Sequence, residues 1–113
     1  MTGPRRYGPA VLKLTVLYSP PSDPDAFDEH YLSVHVPLAQ AMPGLVRAET
    51  SKVVGTPDGS PPAFHRTADL YFEDGEAMQA AFASEHGRRT AQDATELAGR
   101  TGSTVTFLVA AVD

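Results

Sequence analysis

The segment Ser103–Val112 reads as a β-strand, and it is apolar on both faces. Val105, Phe107 and Val109 point one way, and Leu108, Ala110 and Val112 the other. The strand Val11–Tyr18 is similar, with Leu12, Leu14, Val16 and Tyr18 on one face and Val11, Lys13, Thr15 and Leu17 on the other. A sheet with one wet face alternates apolar and polar residues cleanly, so strands of this kind need cover on both sides. The chain has 113 residues, one domain's worth, and its helical patterns suffice for one face only. A second copy packed sheet to sheet supplies the missing cover. The expectation is therefore a homodimer with a barrel-like interior; the alternative is a monomer with a patchy exposed sheet, and large exposed apolar patches are uncommon on monomers.

The remaining elements follow from periodicity and punctuation. Asp23 can cap a helix, and Pro24 suits its first position because no hydrogen bond is lost there. Phe27, Tyr31, Val34, Leu38 and Met42 then recur at helical spacing, which predicts a first helix from Pro24 to about Met42, closed by Pro43-Gly44. Pro37 lies inside it and is expected to kink it, since the ring crowds the carbonyl of Ser33. Leu45–Val54 reads as a second strand, and Gly55–Ala63 as a loop. Phe64–Glu73 reads as a third strand, with Phe64, Ala68, Leu70 and Phe72 on one face and His65, Thr67, Asp69, Tyr71 and Glu73 on the other. Asp74 caps a second helix carrying Met78, Ala81 and Phe82. Gly87 is expected to break it, with a weaker helix from Arg88 to Ala98 beyond. The order β-α-β-β-α-β is that of a ferredoxin-like α+β fold: an antiparallel sheet with the helices on one face. Residues 1–10, rich in Gly, Pro and Arg, read as a flexible N-terminal tail, and residues 11–113 as the domain.

Composition enters by exclusion. The net charge of −5 argues against a nucleic-acid partner, whose surface would be met by a basic patch. There is no cysteine, which removes disulfides and thiolate chemistry and fits a reducing, cytoplasmic setting. No apolar run approaches the length of a membrane span. No glycine-rich phosphate loop, nucleophile elbow or nucleotide fingerprint is present, so no cofactor is expected.

The chemical signal rests on four histidines: His30, His35, His65 and His86. His30 and His35 are five apart and diverge by roughly 140° on a regular helix, so they cannot share one metal ion. Tyr31 and His35, four apart, share a face. His35 lies at the border of the apolar stripe, where a neutral imidazole can serve as base or hydrogen-bond donor near neutral pH. It can equally be a structural histidine that steadies the kink at Pro37. Asp69 and Tyr71 face either an inter-subunit cavity or solvent, and the sequence leaves both open. His86, beside Gly87, reads as a surface residue.

Two stretches resemble a known family. The segment from Phe27 through Tyr31, His35, Pro37 and Leu38 to Pro43-Gly44-Leu45 resembles the F-x-x-Y-x-x-x-H-x-P-L … P-G pattern of EthD-domain proteins. The run Ala68-Asp69-Leu70-Tyr71-Phe72 followed by Ala81-Phe82-Ala83-Ser84-Glu85-His86-Gly87 resembles that family's second half, with a small departure before the glycine. The resemblance spans about Leu12 to Val112 and implies a dimeric α+β barrel. Barrels of this shape include lactone isomerases, cofactor-free monooxygenases, polyketide cyclases and haem-degrading enzymes, so shape does not fix the reaction. The family's histidine falls on His35. The resulting expectation is a cofactor-independent enzyme acting on a small, mostly apolar, cyclic or aromatic metabolite in a catabolic or secondary-metabolite pathway. His35 is its general acid/base, Tyr31 and Asp69 orient substrate or imidazole, and Phe27, Leu38, Met42 and Tyr71 contact the substrate. A non-catalytic binding or accessory protein for a degradative oxygenase is the second expectation. A haem-degrading enzyme, which would need a histidine facing a haem-sized cavity, is the third.

Overall fold

Four antiparallel strands form one sheet in the order β2-β3-β1-β4, with β1 Leu12–Tyr18, β2 Arg47–Lys52, β3 Arg66–Phe72 and β4 Val105–Ala111. The computed structural model describes residues 11–113; the expected tail at residues 1–10 lies outside the described residues. The first and last strands of the chain pair with each other through Leu14↔Val109 and Val16↔Phe107, and β1 pairs with β3 through Leu14↔Leu70. This is the ferredoxin-like arrangement, with the chain's first strand central. Among the described residues no helix is long and apolar enough to cross a membrane.

The helices pack on the sheet face that carries Leu14, Val16 and Tyr18 of β1 and Ala68, Leu70 and Phe72 of β3, all buried. The largest fully buried side chains are Tyr18, Tyr31, Phe27, Phe72 and Leu97, four of them aromatic. Each such side chain contributes about 1.5–3 kcal/mol through area removed from water. Over β1 the rings meet edge-on and stacked: Tyr18 stands 5.1 Å from Phe27 and 5.5 Å from Tyr31, and Phe27 stacks on Tyr31 at 5.6 Å.

The first helical stretch begins as expected, with α1 spanning Pro24–His30 and the Ala26 N–H donating to Asp23 Oδ1 at 3.1 Å. Its middle is not a regular α-helix. Tyr31–His35 is a π-helical segment in which the Val36 N–H bonds back to the Tyr31 carbonyl, and α2, Val36–Gln40, follows it. Pro37 sits in the first turn of α2, where its missing donor costs little, and the helix widens in the turn just before it. The buried stripe is shifted as a result. It runs Phe27, Tyr31, His35, Ala39, Met42, whereas Val34 is exposed and Leu38 half-buried. His35 is thus in the stripe, not on its border.

The second helical stretch is broken at Ser84, not at Gly87. α3 spans Gly75–Ala83 and α4 spans Glu85–Arg100, with Ser84 ending one and capping the other: the Gly87 N–H donates to Ser84 Oγ at 3.0 Å. Gly87 lies in the first turn of α4, where a Cβ would overlap the Ala81 carbonyl. Its glycine is needed for close approach of the two helices. His86 is half-buried, and its Nε2–H donates to the Leu38 carbonyl at 2.7 Å and ties α4 to α2.

Gly87→Ala is therefore expected to lower stability by about 1–3 kcal/mol, the usual cost of overpacking, read as an earlier midpoint in urea unfolding. An unchanged midpoint would mean that α3 and α4 can part at no cost.

Candidate functional site

One carboxylate gathers the chemistry of the helical layer. Asp93, on α4, accepts a hydrogen bond from His35 Nδ1 at 2.8 Å through Oδ2 and contacts His30 Nε2 at 2.8 Å through Oδ1. Two histidines five apart on a regular helix would point away from each other. In the π turn, closed between residues five apart, they come nearly into line, and both reach Asp93. The expected divergence of His30 and His35 is corrected on this ground. Among the described residues no group of three or more His, Cys, Asp or Glu is arranged to hold a metal ion.

The far edge of His35 faces the sheet, with Nε2 at 3.5 Å from the hydroxyl of Tyr18. The Tyr31 ring stacks on the imidazole at 5.5 Å with 22° between planes. Burial pushes the His35 pKa below its usual 6.5; the hydrogen bond and charge of Asp93 oppose this, and nearby His30 lowers it again. The ring is therefore neutral at pH 7. A carboxylate can only accept, so the proton sits on Nδ1 and the lone pair on Nε2, toward Tyr18. The Tyr18 phenol is itself pushed up, first by burial and then by Tyr31 and the charge of Asp93, and stays protonated. Burial raises Tyr31 to about 12, against the pull of the Arg66 cation.

Two small apolar cavities flank this array. One, of about 30 Å³, is lined by Leu14, Ala39, Met42, Phe82 and Phe107 beside Tyr18 and His35. The other, of about 20 Å³, lies on the opposite side of the same two rings, against Tyr31, Val36 and Ala68. Every buried side-chain nitrogen and oxygen among the described residues has a hydrogen-bond partner. In this setting His35 is a neutral base with an oriented lone pair beside a neutral hydroxyl donor. That pair can take a proton from a molecule in the cavity and stabilise the anion left behind.

The EthD domain profile matches residues 19–101. This chain belongs to the EthD family. It is 42% identical over 88 residues to an "uncharacterized 11.0 kDa protein in thcB-thcC intergenic region" of Rhodococcus erythropolis, covering 78% of this chain and 84% of that protein. The crystal structure of an EthD family protein from Bacillus halodurans superimposes with a TM-score of 0.84 at 33% identity, covering 91% of this chain and 99% of that one. A mutant of SnoaB, a "cofactor-independent oxygenase" from Streptomyces nogalater, shares the fold with a TM-score of 0.65 at 16% identity, over 91% of this chain and 93% of that one.

Within this EthD domain, the residues singled out from the sequence are sorted by the sheet. His35 and Tyr31 lie together on the helical side, and Met42 lines the larger cavity. Phe27 is fully buried behind Tyr31 and lines neither cavity, and Leu38 lines neither. Asp69 and Tyr71 are on the opposite face of the sheet, so neither can orient the imidazole of its own chain. Asp69 accepts from Thr15 Oγ1 at 2.6 Å and pairs with Lys13 at 3.6 Å, while the Arg47 guanidinium lies over the Tyr71 ring at 4.2 Å. His65 does not share that outer face. It precedes β3 and turns to the helices, donating to Asp28 Oδ1 at 2.8 Å beside Arg66 Nε at 3.0 Å. Burial alone would raise the Asp28 carboxyl, but hydrogen bonds from Arg66 and His65 and the Arg66 charge hold it at about 2.

Asp93 and Tyr18 were not singled out from the sequence. Asp93 carries a readable signal: it sits between Thr90 and Leu97 on the buried face of α4, next to Ala94, where a carboxylate needs a partner.

The sign of the His35 shift fixes a pH dependence. The unfolded chain binds a proton near pH 6.5 that the folded chain resists, so stability is full above that value and falls as pH drops toward the folded pKa. His35→Gln should flatten the dependence of the melting temperature between about pH 7 and pH 5. Equal slopes for the two proteins would place the titrating group elsewhere.

Proposed function

We propose that this EthD protein is a cofactor-independent enzyme that removes a proton from a small, mostly apolar, cyclic or aromatic metabolite, with His35 as the general base. The observation that carries this reading is the Asp93–His35–Tyr18 array, a neutral oriented imidazole at the wall of an apolar cavity. Asp93 fixes the tautomer, and Tyr18 donates to the oxyanion or enolate that proton removal creates. Tyr31 holds the imidazole plane by stacking. Loss of a C–H or O–H proton is the first step common to isomerase, cyclase and cofactor-free oxygenase chemistry, and it needs nothing beyond the chain's own residues. The likeness to SnoaB supports the fold that such chemistry can use, and the family resemblance supports a catabolic or secondary-metabolite setting.

The cavities hold about one water each, so a metabolite must displace side chains. Met42 and Phe82 are the movable part of the lining, and Phe107, on the helix-side face of the edge strand β4 and still 43% exposed, marks the entrance. The domain spans residues 11–113 in this reading, and it acts as a homodimer. The support for the dimer is β4, where Phe107, Leu108 and Val109 are 43%, 50% and 63% exposed in succession. A second copy over this edge buries them within an interface of about 800 Å² per partner or more.

Two outcomes are expected. His35→Gln should remain folded, with a melting temperature near that of the parent above pH 7, and should lose turnover by about 100-fold or more on an assayed cyclic or aromatic carbon acid. Stoichiometric ligand binding that survives the substitution, with no turnover in the parent, would instead establish the non-catalytic binding protein. Separately, sedimentation should show a dimer at micromolar concentration and a folded monomer for Leu108→Asp. A monomeric parent protein would overturn the assembly.

A further inference from the structure

We propose that Tyr31 and Arg66 anchor a carboxylate of the substrate at the wall of the smaller cavity, so that the metabolite is a cyclic or aromatic acid. This anchoring rests on the base reading of His35, which supplies the place of the reacting carbon. Tyr31 is 1% exposed and lines the cavity of about 20 Å³, yet its hydroxyl makes no hydrogen bond among the described residues. No fully enclosed side-chain oxygen lacks a partner there, so this one opens onto the cavity. A nearly buried phenol that satisfies nothing in the fold is available to a ligand.

Arg66 supplies the charge. It sits on the helix-side face of β3, one step along that face from Ala68, which lines the same cavity, and its guanidinium lies 5.3 Å from the centre of the Tyr31 ring. The residue is 7% exposed. Its Nε donates to Asp28 Oδ1 at 3.0 Å, while Nη1 and Nη2 make no hydrogen bond among the described residues. That free end is the fork that meets a carboxylate with two parallel hydrogen bonds. Lys52, opposite Arg66 in the sheet, adds a second cation, and both are paired with the one Asp28 carboxylate, which leaves positive charge in excess. The Arg66 charge reaches the cavity wall, where it pulls the Tyr31 phenol down against the effect of burial. The two cavities share Tyr18 and His35 as a common wall, and the contact between those side chains, 3.5 Å, is long for a hydrogen bond. A ring that parts them presents its acidic proton to His35 Nε2 while its carboxylate turns to Tyr31 and Arg66. Gln40, exposed on the rim and with no side-chain hydrogen bond among the described residues, can swing aside to admit it. The same cations steady the second negative charge that proton removal creates.

The test reads binding and needs no turnover. ¹⁵N-labelled protein is titrated by NMR with benzoate and, in parallel, with benzamide, its neutral counterpart. We expect saturable shifts from benzoate at the Thr50 and Ala68 amides and the Arg66 Nε–H, and binding of benzamide weaker by about 10-fold or more. Tyr31→Phe keeps the stacked ring and removes only the unpartnered hydroxyl. Its melting temperature should match or exceed the parent's, while benzoate binding weakens by about 10-fold. Arg66→Gln should abolish the preference for benzoate. Because it also takes a partner from Asp28, Arg66→Lys, which keeps the charge and loses the fork, is the second variant and should weaken benzoate binding by about 10-fold as well. Equal affinity for the two probes overturns the anchor, as does the absence of saturable benzoate binding at millimolar concentration, shifts confined to other residues, or a Tyr31→Phe protein that binds benzoate like the parent. Failure of the base reading alone leaves the preference for benzoate intact and shows instead as ligand handling indifferent to His35→Gln, so the two failures are distinguishable.

Discussion

The Asp93 carboxylate, shared between two imidazoles of one helix, is the interaction on which the site depends. A buried carboxylate is costly unless its oxygens are occupied, and here each oxygen has its own histidine. That requirement joins α4 to the first helical stretch across 58 residues of sequence. It also explains the π turn. A regular α-helix would bring only one of the two histidines to Asp93 and leave the other elsewhere. The wider turn, just before Pro37, brings both.

A second histidine–carboxylate cluster closes the other end of the same helix. Asp28, from α1, takes hydrogen bonds from His65 and Arg66 at the start of β3 and an ion pair from Lys52 at the end of β2, at 3.3 Å. The Arg66 guanidinium also lies 5.3 Å over the Tyr31 ring. The helix is therefore pinned to the sheet at one end and to α4 at the other, with the aromatic stack of Phe27, Tyr31 and His35 between. An imidazole keeps one orientation only if its neighbours cannot move, and this arrangement fixes His35 from both sides.

Much of the fold was legible because its signals are local. The four strands, the Asp23 and Asp74 caps and the Pro43-Gly44 stop lie in the residues that form them, and Gly44 indeed adopts φ +77°. The site was half legible. His35 and Tyr31 could be found, since they share a helix. Their partners could not, since Asp93 and Tyr18 arrive from other elements and nothing near His35 in sequence points to them. The stripe Val34 and Leu38 was misplaced because it assumed a constant 3.6-residue turn. Positions 27, 31, 35 and 39 are four apart throughout, a spacing that drifts off an α-helical face and stays in line only if the helix widens. Asp69 and Tyr71 could not be assigned between cavity and solvent, because β-strand alternation tells which residues share a face, not which face meets the helices.

The two edges of the sheet are built on opposite principles. β2 carries Arg47, Glu49 and Lys52 along its length, charges that discourage a foreign strand from pairing there. β4 reads Val-Thr-Phe-Leu-Val-Ala-Ala, without a charge or a proline, and pairs on one side only within the chain. Seven uncharged residues on an open edge, with Val105, Thr106, Phe107 and Val109 all favouring strands, are the kind of segment that seeds fibrillar stacking. As long as that edge stays open, crowding or slow folding gives β4 of one copy the chance to pair with β4 of another, and tilts the chain toward aggregation.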